Sequence, residues 1–569
     1  MLSLNRSRGS AAGNIITLVL LLGIVGLGAW LWLGRKSGSE GEKPAQTSSR
    51  DSGEKASSGV AAPEGDAPTP IEPVVGTPTL EMANAYVPKD NTIRIDISEY
   101  AGYGGLIVAN GGLEPSENSV FFKEHGFKVH ITVSEDETWS ALNNGKLAAT
   151  ATTADALAVL GRQFDAVVPV QIGYSRGADM VVVDRGIASV NALAGKTLAA
   201  SQFNESEFFI RYLAQEAGLR VTILRDLDSK PKPDALGLVF YEDAFQACDA
   251  YQHGLARGDK RLNGCVGWTP KTDEVVEASN GAAKVLVSNR NLLVVADVLA
   301  VNKGFAKANP KMVQGLVHGI LEGNRRLRDN QAENLAVVAK AFKWSEQDTR
   351  DELAHVHLAN APENRAFFAG TIDSAGSFGG IFQSSILAYG NLIKNPADPA
   401  RFVDTAALDL VAKRSPFSEQ KIAIAPIRTA TQSALEGDPL LSKDIRFFFE
   451  PNSANLDRNA AQNQEYLQTI KRFLQVSPGS TVVLRGHVDN ARINEFRDSG
   501  GDQLVQSMAL KAMELSRQRA LAVSEALLNK YPDIDKTRVE AVGRGWEEPT
   551  GGSDAAQNRR VEVQWFTIE

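Results

Sequence analysis

The sequence predicts an α/β multidomain protein held behind a single N-terminal transmembrane helix, and three observations predict it. A run of twenty uncharged, mostly apolar residues lies near the start, a polar Ser/Gly/Pro/Ala-rich stretch follows, and short β-type runs then alternate with helical stretches. A chain of 569 residues also exceeds what one core supports, since single domains rarely grow past about 250–300 residues.

The apolar run is IITLVLLLGIVGLGAWLWLG, residues 15–34, after a short cytoplasmic N-terminus of residues 1–14. At about 1.5 Å per residue it matches a hydrocarbon core of about 30 Å. A cleaved signal peptide is the competing reading, but its apolar region would be shorter and end in a small-residue cleavage site, which is not found here. Trp30 and Trp32 suit an interfacial belt. Arg6 and Arg8 precede the run and Arg35 and Lys36 follow it, so the flanking charge does not orient it. No ionisable residue lies within it, which disfavours an ion channel or motor.

Residues 35–90 contain almost no bulky apolar side chains and read as a disordered linker with a reach of roughly 40 Å. From residue 91 to 414 strand candidates fall at 92–98, 127–133, 148–153, 165–174, 179–184, 197–201, 220–226, 264–268, 283–289 and 292–302. Helical stretches such as 206–218 and 244–254 lie between them, and beyond Pro310 the pattern is mostly helical. This alternation indicates α/β units with largely parallel sheets. A second linker, residues 415–442, precedes a last β-α-β-α-β region, residues 443–569.

A formal net charge of -8 gives no basic footprint, so nucleic acid is not an expected partner. The only cysteines, Cys248 and Cys265, are too few for a disulfide scaffold and form no CxxC pair. His355 and His357 occupy alternate positions on an expected helix and point to different faces, so no metal site is assigned. Without a phosphate loop of the GxxxxGK[ST] type or a recognisable nucleophile motif, neither a cofactor nor enzyme activity is expected.

Several short segments carry a resemblance over residues 91–414. GYGGLIVANGG leads into FFKEHGFKVHI; ALNNGKLAATATTADAL, SVNALAGKTLAASQFNESEFFIRYLAQEAGL and a strand ending in Trp268-Thr269-Pro270 follow. In spacing this resembles type 2 periplasmic solute-binding proteins of the nitrate, sulfonate and taurine group. The resemblance implies two lobes that close on a small anionic solute such as phosphate, nitrate or sulfonate, and an ABC transporter permease as partner.

The C-terminal region contains Phe449 with Ser453 and Leu456, GHVD at 486–489, LSRQRA at 515–520, Gly543 with Gly545 and Pro549, and NRRVE at 558–562. Five motifs in order closely resemble OmpA-like peptidoglycan-binding domains. The resemblance implies an α/β sandwich in which Asp489 and Arg519 grip the free end of diaminopimelate in a wall stem peptide. That end is a zwitterion, so its ammonium suits a carboxylate and its carboxylate suits a guanidinium fork. A plain Asp489–Arg519 salt bridge is the bland alternative. Val488 replaces the family's Thr and Ala512 its frequent Asn; the long loop 490–508 could restore a contact through Asn494. Arg559 and Arg560 read as braces of the fold.

For the solute, polar residues at strand-to-helix junctions are the candidates: Tyr100, Tyr103, Thr152, Thr153, Tyr174, Ser175, Asn204, Ser206 and Trp268. A hydroxyl at a helix N-terminus suits an anion, yet Thr153 and Ser206 serve equally as helix caps. Export would place Cys248 and Cys265 in an oxidising compartment, where they could pair. Together the two resemblances imply that residues 37–569 face the periplasm of a bacterium with a diaminopimelate-type wall, outside an inner membrane crossed once. The expected role is a membrane-anchored, wall-tethered solute-binding protein for transport or sensing. The alternative is a structural envelope protein linking inner membrane to peptidoglycan, whose binding fold has lost its solute.

Overall fold

The computed structural model describes residues 63 and 65–566, apart from residues 137, 291, 373–375, 425–440, 477–479 and 550–554. The expected membrane span at 15–34 lies outside the described residues. Among the described residues, no helix is long and apolar enough to cross a membrane.

The first lobe is built on β1 (Thr92–Ile97), β2 (Lys128–Val133), β3 (Ala149–Thr153), β4 (Ala166–Val167) and β5 (Gln171–Ser175). The chain then crosses to a second lobe of β6 (Asp179–Asp184), β7 (Thr197–Ser201), β8 (Arg220–Ile223), β9 (Ala235–Tyr241), β10 (Gly264–Trp268) and β11 (Ala283–Ser288). It returns as β12 (Ala296–Asn302) and β13 (Val356–Leu358). The sheet orders are β13-β5-β12-β3-β1-β2, with β4 on β12, and β11-β6-β10-β7-β9-β8. β1, β2 and β3 run parallel, as expected, but β12 re-enters antiparallel to β3, β4 and β5, so the sheets are mixed.

Sequence and structure part at four strands. The run 165–174 breaks into β4 and β5 around Pro169, which has no N–H for the ladder. The run 292–302 is a strand only from Ala296, because residues 289–295 form the return crossover. β9 and β13 were not among the expected strands. β9 reads ALGLVFY, buried at every position, and a short continuous apolar run of this kind lacks the alternation that marks a half-buried strand.

The two crossovers lie side by side, and Asn289 ties them. Its Oδ1 accepts from the Gly177 N–H at 2.7 Å, and its Nδ2 donates to Ser175 O at 3.2 Å and to Asp179 Oδ2 at 2.8 Å. The helix Phe378–Tyr389 packs against helices of both lobes, Ala156–Leu160 and Glu205–Glu216.

The expected linker does not run to residue 90. Ile71 N–H donates to Phe240 O, and Val74 exchanges two hydrogen bonds with the Gln202 side chain, all in the second lobe. Leu80 N–H then donates to Gln163 Oε1, Glu81 N–H to Ser140 Oγ and Tyr86 N–H to Asn302 Oδ1, all in the first. Composition hid this strap because its backbone is satisfied by scattered distant partners, the Gln202, Gln163, Ser140 and Asn302 side chains and the Phe240 carbonyl, rather than by a ladder. Likewise the domain continues past 414: Glu363 Oε1 accepts from the N–H groups of both Ala423 and Ile424 at 2.8 Å.

The C-terminal domain has the sheet order β14-β17-β15-β16, from β14 (Leu441–Phe448), β15 (Thr481–Gly486), β16 (Val539–Gly543) and β17 (Arg560–Phe566). Its helices Ala461–Val476 and Ile493–Lys530 pack on that sheet, the expected α/β sandwich. The region 490–508 is not a loop. It is helix from Ile493, broken by non-helical backbone at Gly500 and Gly501. Two other glycines are required by close approach: a Cβ at Gly486 would lie 1.9 Å from Ser516 O, and one at Gly543 2.6 Å from Met513 O. Arg472 of this domain pairs with Glu216 of the second lobe at 2.8 Å.

Cys248 and Cys265 form a disulfide between the helix Ala244–Arg257 and β10, with Cα atoms 5.2 Å apart. His355 and His357 do not share a helix. His355 caps the end of Glu346–Ala354, and His357 sits in β13 and pairs with Glu363 at 2.9 Å.

Candidate functional site: an acidic cleft and a C-terminal charge cluster

Strand ends of both lobes converge on one cleft. The first lobe contributes Ser98, Tyr100 and Tyr103 after β1, Thr153 at the end of β3, Ser175 at the end of β5 and Asp297 in β12. The second contributes Asp179, Glu205 and Trp268. The free space, mouth included, is about 250 Å³, and an adjoining stretch holding Asp96, Glu135, Asp136 and Thr152 has about 420 Å³.

Six of the expected solute residues therefore meet: Tyr100, Tyr103, Thr152, Thr153, Ser175 and Trp268. Three others are not among the lining. Tyr174 alternates with Ser175 to the opposite face of β5, where its ring meets Phe367 edge-on and its hydroxyl donates to Gly376 O at 2.7 Å. Asn204 caps the helix Glu205–Glu216, its Oδ1 accepting from Ser206 N–H at 3.1 Å. Ser206 is buried beside it, while Glu205 between them faces the cavity.

The charges were the part the sequence reading missed. Asp96, Glu135, Asp136, Asp179, Glu205 and Asp297 line the two stretches, and none of the lining residues is Lys, Arg or His. The expected anion would therefore meet carboxylates and no cation. Asp297 is 2% exposed, and its Oδ1 accepts from the Tyr103 hydroxyl at 3.1 Å. Burial, reinforced by Asp179 and Asp155, pushes it well above the usual carboxylate range. Burial raises Asp155 to about 7, against a hydroxyl contribution from Thr153. It raises Asp179 to about 6, against Ser175 and Asn289. A signal was present: Asp297 interrupts VVADVLAV and Asp179 opens DMVVVD, and an acid inside a buried apolar run is rarely incidental.

Several cleft groups have no partner among the described residues. The Trp268 indole N–H and Asp297 Oδ2 are buried without a hydrogen bond. Tyr100 and Tyr103 stand edge-to-face with ring centres 5.3 Å apart, and Trp268 lies 5.4 Å from Phe245.

In the C-terminal domain Asp489, Arg519 and Arg559 form one charge cluster. Asp489 follows β15, its side chain about a quarter exposed, and its nearest cation is Arg559 at 3.5 Å rather than Arg519. The Arg519 guanidinium is fully buried and donates to three backbone carbonyls: Ser453 and His487 at 2.9 Å and Glu450 at 3.1 Å. Burial and the neighbouring Arg559 lower it to about 10. The bland Asp489–Arg519 salt bridge is not formed. Of the two arginines read as braces, Arg560 fits, pairing with Glu562, while Arg559 sits at the site. Asn494 is exposed on the first turn of its helix and accepts from Arg497 at 3.3 Å.

Two further groups of potential ligand atoms lie outside the cleft lining: Glu124, His125 and His318, and Asp273, Glu352 and His355, each within 4.8 Å. The second spans the lobes, where Thr269 also hydrogen-bonds Glu352.

Residues 448–562 match the OmpA family. No curated protein matches the sequence. Among solved structures, the chain resembles the periplasmic aliphatic sulphonate binding protein SsuA from Escherichia coli at 15% identity, over 56% of this chain and 92% of that one, with a TM-score of 0.42. It resembles the periplasmic nitrate-binding protein NrtA from Synechocystis at 10% identity, over 58% and 89%, with a TM-score of 0.41. The desulfurization enzyme DSZB is similar at 14% identity, over 56% and 98%, with a TM-score of 0.37.

Proposed function

We propose that this chain is a wall-tethered solute-binding protein of the bacterial periplasm, anchored in the inner membrane by residues 15–34. Its C-terminal domain holds the diaminopimelate stem peptide of peptidoglycan. Asp489 receives the ammonium and Arg559 beside it the carboxylate, with the buried Arg519 adding its positive charge from behind while its donors hold the carbonyls of Ser453, His487 and Glu450. The two lobes close on a small solute, for delivery to a transporter permease or for sensing, without covalent chemistry.

The observation that carries the solute reading is the polar lining of the cleft, with the buried Trp268 N–H and Asp297 Oδ2 left without partners. A cleft that had lost its ligand would be filled by apolar side chains, because an unsatisfied buried polar group costs about 1–3 kcal/mol. The structural-linker reading draws support from a different observation: the strap at residues 71–86 and the helix Phe378–Tyr389 both touch the two lobes and oppose hinge opening. A thermal-shift titration separates them. A saturable rise in melting temperature with one compound supports solute capture by mass action, and silence across a chemically broad panel supports the linker.

A further inference from the structure

The charge of the cleft points to a ligand class opposite to the one expected from sequence resemblance. We infer that the solute is a small organic ammonium ion, held between Asp297 and Asp179 and against Tyr100, Tyr103 and Trp268. This rests on the reading that the cleft takes a solute at all.

Three independent features converge. First, acids from both lobes meet there, Asp297 from the first and Asp179 and Glu205 from the second, with no Lys, Arg or His in the lining. A bound anion would find no cation there and would be repelled by any acid that ionises, whereas a cation draws the protons off and supplies the counter-charge of the carboxylates it leaves. Second, Asp297 is 2% exposed, yet its Oδ2 has no hydrogen-bond partner among the described residues; the buried Trp268 indole N–H, also without one, calls instead for an acceptor, such as a hydroxyl carried by the same ligand. A free carboxylate oxygen calls for a donor, and an ammonium is the donor that also neutralises it. Third, three aromatic residues share the cavity with the acids. Aromatic faces attract organic cations, methylated ammonium groups among them.

The titratable groups facing Asp297 are Asp179, Asp155 and the hydroxyls of Tyr103 and Tyr100. Glu205 and Asp179 also act on the tyrosines from the second lobe. Burial favours the protonated forms of these acids when the cleft is empty, so capture of a cation must expel protons. Affinity for an ammonium should then rise between pH 5 and pH 8.

The test uses the full-length chain in detergent, titrated at constant ionic strength with choline, ethanolamine, methanesulfonate and nitrate while melting temperature and binding heat are followed. The expected result is saturable binding of choline or ethanolamine, tighter at pH 8 than at pH 5, with no response to the two anions. Preference for choline over ethanolamine would assign the main recognition to the aromatic faces, and the reverse preference to the carboxylates. Asp297→Asn should weaken the ammonium at least tenfold, and Trp268→Phe several-fold. Saturable binding of methanesulfonate or nitrate with no response to either ammonium would overturn the cation assignment and leave solute capture standing. Absence of binding by all four would overturn both.

Discussion

Asn289 holds Asp179 across the two crossovers: its Nδ2 donates to the Asp179 carboxylate at 2.8 Å while its Oδ1 takes the Gly177 N–H at 2.7 Å. One fully buried amide thus joins both crossover segments to the first acid of the second lobe. Asn289→Ala removes these bonds and strands the Gly177 N–H and one carboxylate oxygen, so it should destabilise the chain by about 2–4 kcal/mol. Urea denaturation of the variant checks this, and an unchanged midpoint would show that the crossovers are held elsewhere.

The buried acids set a pH dependence of unusual sign. Asp155 at about 7 and Asp179 at about 6 stand above their unfolded value of 3.8, so the folded state binds more protons than the unfolded state. Ligand-free stability should therefore fall as pH rises from about 4 through about 7 and level off above. Rises of about 3 and about 2 pH units put the total loss at several kcal/mol, about 7 at most for these two acids. Burial raises Glu135 and Glu352 to about 7 as well, which adds in the same direction. Denaturation at pH 5 and pH 8 reads the difference, and Asp179→Asn should shrink it.

The strap predicts that a chain beginning at residue 91 is less stable than one beginning at residue 66. The shorter chain loses the bonds of Ile71, Val74, Leu80 and Tyr86 to both lobes. Melting temperatures of the two should differ by several degrees, with Gln202→Ala in the longer chain giving part of that loss. Equal melting temperatures would mean that the strap is merely laid on the surface.

Arg519 and Asp489 should separate stability from binding. Arg519→Lys forfeits three carbonyl contacts that an ammonium cannot span together, and should cost about 2–3 kcal/mol. Asp489→Asn keeps the shape of a partly exposed side chain and should leave the melting temperature within about 1 °C. Thermal melts of both variants check the contrast.

Much of this was legible in the sequence for physical reasons. Strands such as TIRIDI and DMVVVD announce themselves by β-branched side chains, and the glycines of LRGH and VGRG mark where a helix backbone presses on the sheet. Six cleft residues were legible because strand ends are where α/β crevices open. What stayed hidden depends on partners distant in sequence. No local pattern reveals that Asn289 reaches Gly177, that Gln202 holds Val74, or that Arg519 spends its donors on Glu450, Ser453 and His487. The sign of the cleft charge was missed because Asp179 and Asp297 come from strands in different lobes, over a hundred residues apart.

A wall tether acting through Asp489 can be read from sedimentation of the full-length protein with purified diaminopimelate-type sacculi. The wild type should pellet with the wall and be released by free diaminopimelate, and Asp489→Asn, equally folded, should remain in the supernatant. Equal pelleting of both proteins, untouched by diaminopimelate, would contradict the account.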